Sequence, residues 1–233
     1  MRFANLEGQP EIFETIQGEG RNTGEPAVFA RLSGCNLDCD WCDTPYTWDW
    51  ENYDREGNTL RIEIGEAVEL ISGQTAERAV ITGGEPLVQQ TDLIELATQL
   101  QARGMKTEVE TNGTRMPRPD LVDVIDQFNV SPKLSNSGIP YEKRIKHDAL
   151  EAFARLDNAD FKFVIDNAQD LDEVKALQDT HKIPSNRIFL MPQGVTEEQI
   201  MAGTQQLAEI CKQEGYNLST RLHVLIWGAK RGV

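Results

Sequence analysis

Three cysteines with the spacing CX3CX2C, Cys35, Cys39 and Cys42, are the residues whose types and spacing most directly imply chemistry. Iron–sulfur clusters are normally held by four cysteine sulfurs, so three thiolates leave one iron corner open to a reactant. A structural zinc site with His223 or Cys211 as the fourth ligand is an alternative, although zinc ligands usually come as two separated pairs. The spacing favours an iron–sulfur cluster, while zinc binding and hydrophobic packing stay open as alternatives.

The fourth cysteine, Cys211, falls in a run with helical periodicity over residues 197–214. Free cysteine behaves as a small hydrophobic residue, so Cys211 is predicted to be a buried helix residue. Four cysteines, three of them clustered, do not suit a disulfide scaffold. The pattern is typical of a reducing compartment in which thiols bind metal.

Composition and charge limit the function classes. Of the 233 residues, 39% are hydrophobic and 26% charged, which is typical of a globular protein. The formal net charge of −15 opposes binding to phosphate backbones or anionic membranes. No apolar stretch approaches the roughly 20 residues needed to cross a bilayer, and the N-terminus lacks an apolar signal core. We therefore expect a cytoplasmic protein with no nucleic-acid or membrane partner.

Short β-branched or aromatic runs alternate along the chain with longer helical patterns. This alternation predicts βαβ units and a mainly parallel sheet. About six units fall short of the eight in a complete TIM barrel, so the predicted α/β fold is a partial, open TIM-like barrel. We expect one domain over residues 1–233, with a cysteine loop at 34–44 and an insertion at about 47–58. Strands are predicted at 27–32, 79–82, 107–110, 128–130, 161–165, 188–191 and 222–227, and helices at 64–72, 92–103, 120–126, 148–155, 171–180 and 197–214.

Polar, turn-forming sequences follow several of the predicted strands. The carboxyl ends of parallel strands share one face, and ligands bind there. Gly83 and Gly84 would let backbone groups approach a ligand closely. We expect one site to be lined by the cysteine loop together with TGGEP at 82–86, ETNGT at 110–114, SPK at 131–133 and PQG at 192–194.

The cysteine spacing, followed about forty residues later by GGEP, resembles the radical S-adenosylmethionine (SAM) superfamily. Within it, the chain is similar to the family of 7-carboxy-7-deazaguanine synthases, which serve queuosine biosynthesis and its tRNA modification pathway. A looser match in Gln193 and residues 223–233 extends the resemblance to nearly the whole chain. The main motifs are FETIQGEG at 13–20, FARLSGC at 29–35, WCDT at 41–44, VITGGEP at 80–86, ETNGT at 110–114 and SPK at 131–133.

This resemblance implies a lyase with a radical SAM core that converts 6-carboxy-5,6,7,8-tetrahydropterin to 7-carboxy-7-deazaguanine with loss of ammonia. It implies a 4Fe-4S cluster, SAM as the source of a 5′-deoxyadenosyl radical, and Mg2+. It further implies a flavodoxin or ferredoxin as reductant, and a homodimer. A radical SAM activase with a different substrate is an alternative, as is a noncatalytic zinc-binding module.

The resemblance also implies roles for individual residues. The three clustered cysteines would bind the cluster, and the Thr44 hydroxyl would bind Mg2+. Arg31 would pair with the substrate carboxylate, and Glu110 would accept hydrogen bonds from the guanidine-like edge of the pterin. The implied pterin contacts are Ile16, Gln17, Gly18, Arg31, Thr82, Glu110, His223 and the C-terminal Val233, and the implied SAM contacts are Trp41, Gly84, Ser131, Pro132, Lys133 and Gln193.

Ordinary structural roles are open to the same residues. Thr44 could cap a turn, Lys133 could be a surface charge, and the chain end at Val233 could fray. His223 falls in the predicted strand 222–227, where a lone histidine is more often structural. The functional roles therefore depend on the resemblance and not on the residue types alone.

Overall fold

A computed structural model describes all 233 residues, and its strands form one sheet. In chain order the strands are β1 (Arg2–Leu6), β2 (Gln9–Pro10), β3 (Ile12–Ile16), β4 (Pro26–Leu32), β5 (Thr59–Arg61), β6 (Arg78–Gly83), β7 (Lys106–Thr111), β8 (Gln127–Val130), β9 (Ala159–Ile165), β10 (Ile188–Pro192) and β11 (Asn217–Leu218). The sheet has a parallel part in which neighbouring strands follow the order β4, β6, β7, β8, β9 and β10. Strand β11 pairs in parallel with β10 at the edge. The sheet runs from β11 to β2 and stays open. The predicted partial barrel of about six parallel strands is therefore confirmed.

Helices cover the parallel strands and supply the crossovers between them. In chain order they are α1 (Arg55–Asn58), α2 (Ile64–Ser72), α3 (Gln90–Gln101), α4 (Pro119–Val122), α5 (Tyr141–Arg144), α6 (His147–Ala154), α7 (Gln169–His181), α8 (Glu197–Glu214) and α9 (Leu222–Trp227). The bounds predicted for α2 and α8 are confirmed. A capping box between Thr196 and Gln199 begins α8, and Cys211 is buried in it as predicted.

The helix predicted at 120–126 is wrong in length, since α4 is a single turn. The Asp126 carboxylate instead accepts hydrogen bonds from the backbone N–H of Thr107, at 2.7 Å, and from its hydroxyl, at 3.1 Å. Because these bonds tie Asp126 to the start of β7, the residues after Val122 do not continue the helix.

The antiparallel strands β1, β2, β3 and β5 do not appear among the predicted strands. They are short, and polar or charged residues interrupt their apolar pattern, so periodicity does not reveal them. In the pairing of β3 with β4, Ile16 lies opposite Pro26, whereas the cysteine loop follows the other end of β4. The QGEG segment after β3 and the cysteine loop therefore enter the barrel from opposite ends.

The strand predicted at 222–227 is wrong, because these residues form α9. A short apolar run fits a strand and a buried helix equally well. Gly228 ends the helix with a φ of 69°, and its N–H donates to the carbonyl of Val224 at 2.9 Å. His223 is consequently a helix residue.

One large hydrophobic core contains 37 buried residues, from Phe3 to Tyr216. Every residue of β9 and β10 is buried, as expected for parallel strands covered on both faces. A core that draws on nearly the whole chain supports the single domain, which stays a prediction. None of the helices combines the length and the apolar character needed to cross a membrane.

Candidate active site

A cavity of about 350 Å³ opens at the carboxyl ends of the parallel strands. Its wall contains sixteen of the eighteen residues for which the sequence implies a site role, and the other two, Gly18 and Pro132, adjoin wall residues. The sixteen are Ile16, Gln17, Arg31, Cys35, Cys39, Trp41, Cys42, Thr44, Thr82, Gly84, Glu110, Ser131, Lys133, Gln193, His223 and Val233. The cavity therefore brings together segments from both ends of the chain, although what each residue binds stays a prediction.

The cysteine loop places three thiols on an apolar wall of this cavity. Leu37, Cys39 and Ile139 form a small buried cluster, against which Cys35 and Cys42 pack. Burial raises the pKa of the Cys35 thiol to about 12, so metal binding must supply the free energy of its deprotonation.

The donor set fits an iron–sulfur cluster better than a zinc ion. No three side chains of Cys, His, Asp or Glu converge closely enough to hold a single metal ion. A 4Fe-4S cluster is instead ligated at separate corners, which three thiols on one short loop can supply. Cys211 is not part of the cavity wall, and its Sγ lies 3.4 Å from the carbonyl oxygen of Asn217. Neither the zinc alternative nor a role of Cys211 as ligand is supported.

The paired glycines of GGEP let β6 pack against the start of the cysteine loop. A Cβ atom at Gly83 would lie 2.1 Å from the carbonyl oxygen of Leu32, and one at Gly84 would lie 2.2 Å from that of Gly34. These contacts are too close for any side chain. The glycines are therefore required by backbone packing, whether or not a ligand also approaches them.

Glu85 of GGEP has a structural role that the sequence did not reveal. Its side chain is fully buried and accepts hydrogen bonds from the N–H of Leu87 at 2.9 Å, the Thr111 hydroxyl at 2.8 Å and the N–H of Asn112 at 2.7 Å. Burial raises the pKa of Glu85, while these donors oppose the shift. The carboxylate thereby ties the end of β6 to the end of β7.

Arg31 lies on β4, and its guanidinium contacts one acidic side chain. Its Nε donates to Oε1 of the fully buried Glu11 at 2.9 Å. Nε is the only atom of this guanidinium that donates to the protein. Arg31 therefore presents its two terminal nitrogens to the cavity, in the fork geometry that binds carboxylates.

Glu110 lies on β7, two strands from Arg31. Its Oε1 accepts a hydrogen bond from Nδ2 of Asn129 at 2.9 Å, and its Oε2 accepts one from Nζ of Lys162 at 2.8 Å. Below it, Glu108 is fully buried and binds the side-chain amide of Gln17. Burial and the neighbouring Glu110 raise the pKa of Glu108 to about 6.

His223 packs against the QGEG segment. A Cβ atom at Gly18 would lie 2.2 Å from Nδ1 of His223, and the N–H of Leu222 donates to the Gly18 carbonyl at 3.0 Å. Burial lowers the pKa of His223, so the ring is mainly neutral at pH 7. Gly18 is thus needed for this contact between the two ends of the chain.

The end of the chain also lines the cavity. Residues 228–233 belong to its wall, and Nε of Arg231 donates to Oε2 of Glu11 at 3.0 Å. The Arg231 guanidinium lies 3.8 Å from the ring centroid of Tyr46. These contacts hold the C-terminal segment in place, in contrast to a frayed tail.

Comparisons with known proteins agree with this geometry. Residues 31–168 match the family model of the Radical SAM superfamily. The chain is similar to the 7-carboxy-7-deazaguanine synthase of Pyrobaculum aerophilum, with 39% identity over 225 residues covering 95% of each protein. The corresponding protein of Halobacterium salinarum is 35% identical over 93% of this chain and 89% of its own length. The crystal structure of QueE from Escherichia coli matches with a TM-score of 0.69 and 30% identity, covering 94% of this chain and 93% of that one.

Proposed function

Because this chain belongs to the radical SAM superfamily and, within it, to the 7-carboxy-7-deazaguanine synthases, we propose that it forms 7-carboxy-7-deazaguanine from 6-carboxy-5,6,7,8-tetrahydropterin with loss of ammonia. One observation carries the proposal: a single cavity contains the three clustered thiols, the Arg31 fork and the Glu110 carboxylate. The chain is therefore a lyase that uses a 4Fe-4S cluster and SAM. When bound, these cofactors supply the one-electron reduction that yields a 5′-deoxyadenosyl radical.

The chain's own residues would bind and orient the pterin. Arg31 and Glu110 lie two strands apart, a spacing of roughly 10 Å that a bicyclic carboxylate can bridge. Arg31 would bind the carboxylate, and Glu110 and Gln17 would bind the opposite, nitrogen-rich edge. The surrounding loops would exclude water from a site that handles a radical.

Anaerobic turnover tests this proposal directly. The reconstituted enzyme should convert the carboxytetrahydropterin to the deazaguanine in the presence of SAM and a reductant, as measured by mass spectrometry. Cleavage of SAM without the deazaguanine product would favour the activase alternative.

We propose Thr44 as a ligand of Mg2+. Thr44 is buried and precedes the 3₁₀ helix Pro45–Thr47, but its side chain makes no capping hydrogen bond. Its hydroxyl lies 3.7 Å from Sγ of Cys42 and has no closer side-chain partner. The turn-capping interpretation is therefore not supported, which leaves the hydroxyl available to a metal.

Thr44→Val should weaken the stimulation of turnover by Mg2+ and raise the KM for the pterin, since a small hard cation would lose one oxygen ligand. Thr44→Ser should retain most of the activity because it keeps the hydroxyl. Titration of activity with Mg2+ measures both effects. Equal Mg2+ dependence in wild type and Thr44→Val would contradict the assignment.

We propose the C-terminal carboxylate of Val233 as a further pterin ligand, because residues 228–233 line the cavity. A short C-terminal tag, or deletion of Val233, should weaken pterin binding at least about tenfold through loss of a charged hydrogen bond. SAM binding should persist in both. Val233→Ala is the matched control, because it keeps the carboxylate in place. Unaltered pterin affinity in the tagged protein, measured by calorimetry, would rule out this role.

We propose that the reductant, a flavodoxin or ferredoxin, docks outside the cysteine loop. A second cavity of about 470 Å³ reaches the loop there, and Cys35, Leu37 and Trp48 line both cavities. Lys143 and Lys146 stand on its wall. An acidic carrier would be repelled by a net charge of −15, so local lysines should favour its approach.

Lys143→Glu/Lys146→Glu should slow cluster reduction by the protein carrier by about tenfold or more, because charged patches change association rates by about 10- to 1000-fold. Reduction by dithionite should be unaffected. The double variant Lys175→Glu/Lys212→Glu makes the same charge change on the exposed faces of α7 and α8 and should behave as wild type. Parallel loss with both reductants would indicate damage to the loop, and no loss with either would place docking elsewhere.

We also propose a homodimer and a cytoplasmic location. Helix α9 exposes two large apolar side chains, Ile226 at 50% and Trp227 at 37%, which supports contact with a second copy. All four cysteines are free thiols, in keeping with a reducing compartment. Sedimentation analysis would test the dimer.

A further inference from the structure

Lys162 is a buried ammonium group on β9 for which the sequence implies no role. The residue lines the cavity, and only 4% of its surface is exposed. Its Nζ lies 2.8 Å from Oε2 of Glu110 and 2.6 Å from Oε2 of Glu19. Burying an ammonium is costly unless it is paired, so both carboxylates are needed to keep it there.

The two carboxylates come from different parts of the chain. Glu110 lies on the parallel strand β7, and Glu19 belongs to the QGEG segment after β3. Glu19 also accepts a hydrogen bond from Nε of Arg221 at 3.1 Å, and Arg221 pairs in turn with Asp43. Lys162 thus links Glu110, through Glu19 and then Arg221, to Asp43 of the cysteine loop. The charges alternate in sign along this chain of contacts.

Lys162 is the only cation that contacts Glu110. The other groups around that carboxylate are the amides of Asn129 and Gln17, and the carboxylate of Glu108 beneath it. Glu108 is itself paired with Arg78, whose Nη1 lies 3.3 Å from it. Removing the Lys162 charge would leave Glu19, Glu108 and Glu110 to repel one another in a buried region.

We propose that Lys162 is a positioning residue that holds the Glu110 carboxylate in a single orientation, as the acceptor for the guanidine-like edge of the pterin. This inference rests on the proposed function, because it names the part of the substrate that Glu110 meets. Lys162 acts through Glu110 and not on the reacting atoms.

Lys162→Met removes the charge and keeps an apolar stem of similar length. In the cluster-loaded enzyme at pH 7 it should weaken pterin binding about tenfold, since a charge-assisted hydrogen bond network is lost. A pterin that lacks its 2-amino group should lose less affinity in Lys162→Met than the full pterin does, because Glu110 then has one donor fewer to accept from. Calorimetry measures both, and the Kd for SAM should not change.

A second variant keeps the test valid if Lys162→Met does not fold. Glu19→Gln/Lys162→Met replaces both partners of one ion pair with neutral side chains, which buried sites tolerate better than a lone charge. It should bind the pterin about tenfold more weakly than Glu19→Gln alone and show the same smaller loss with the pterin that lacks the 2-amino group. Lys175→Met, which breaks the exposed Lys175–Glu214 pair, is the matched control and should bind as wild type.

Wild-type affinity in Lys162→Met, equal losses for the two pterins, or equal affinity in the double variant and Glu19→Gln would overturn the inference. A wild-type enzyme that makes no deazaguanine would instead overturn the proposed function, so the two failures are distinguishable.

Discussion

Replacing any one of Cys35, Cys39 and Cys42 with alanine should abolish both bound iron and turnover, whereas Cys211→Ala should retain both. The first three thiols share one loop and one apolar wall of the cavity. With one ligand lost, only two thiolates of the loop remain to hold the cluster. Iron and sulfide analysis, the broad visible absorption of the cluster and the turnover assay together measure the effect.

Cys211→Ala is an informative control because it removes a buried thiol from the same chain, as Cys39→Ala does. Cys211 packs in α8 within the main core, so its loss should cost stability of about 1 kcal/mol, by removal of a buried sulfur, without loss of iron. Unchanged iron content in Cys39→Ala would refute the assignment of the cluster ligands. Loss of iron in Cys211→Ala, in a protein that still folds, would add an unexpected ligand.

The parallel core of the fold could be predicted because its strands are buried on both faces. Such strands appear in sequence as short continuous apolar runs, of which IFLMP at β10 is an example. The antiparallel strands near the N-terminus could not be predicted, because β2 has two residues and β5 three, and polar residues interrupt the five-residue strands β1 and β3. Helix α9 was assigned to the wrong class because six residues do not distinguish a period of 2 from one of 3.6.

The motif residues of the site were found, but the residues that hold them were not. Arg221 binds Glu19 across 202 positions of sequence, and Arg231 binds Glu11 across 220. Lys162 and Glu19 are separated by 143. A local pattern carries no information on such pairs, which form only after the strands assemble. These contacts decide how the motif side chains are oriented, so orientation is the part of the site that needed the structure.

Arg31→Lys should weaken pterin binding about 100-fold, which corresponds to about 3 kcal/mol for truncating one partner of a largely desolvated charge pair. Lysine keeps the positive charge but lacks the planar fork that makes two parallel hydrogen bonds. Its ammonium would also be drawn toward Glu11, whose carboxylate already receives Nε of Arg31 and Nε of Arg231. Affinity measured by calorimetry in the presence of SAM, without turnover, reports this loss, and SAM affinity should not change.

A pterin without its 6-carboxylate separates recognition from structural damage. If the Arg31 fork binds that carboxylate, the truncated ligand should bind wild type weakly and should lose no further affinity in Arg31→Lys. The affinities of wild type and Arg31→Lys for each of the two pterins form a double-mutant cycle. This cycle isolates the coupling between Arg31 and the carboxylate from every other effect of the substitution. Equal losses for both ligands would show that Arg31 acts only through Glu11 and the packing of the C-terminal segment. No loss for either ligand would place the carboxylate at another cation of the cavity wall, of which the exposed Lys230 is one candidate.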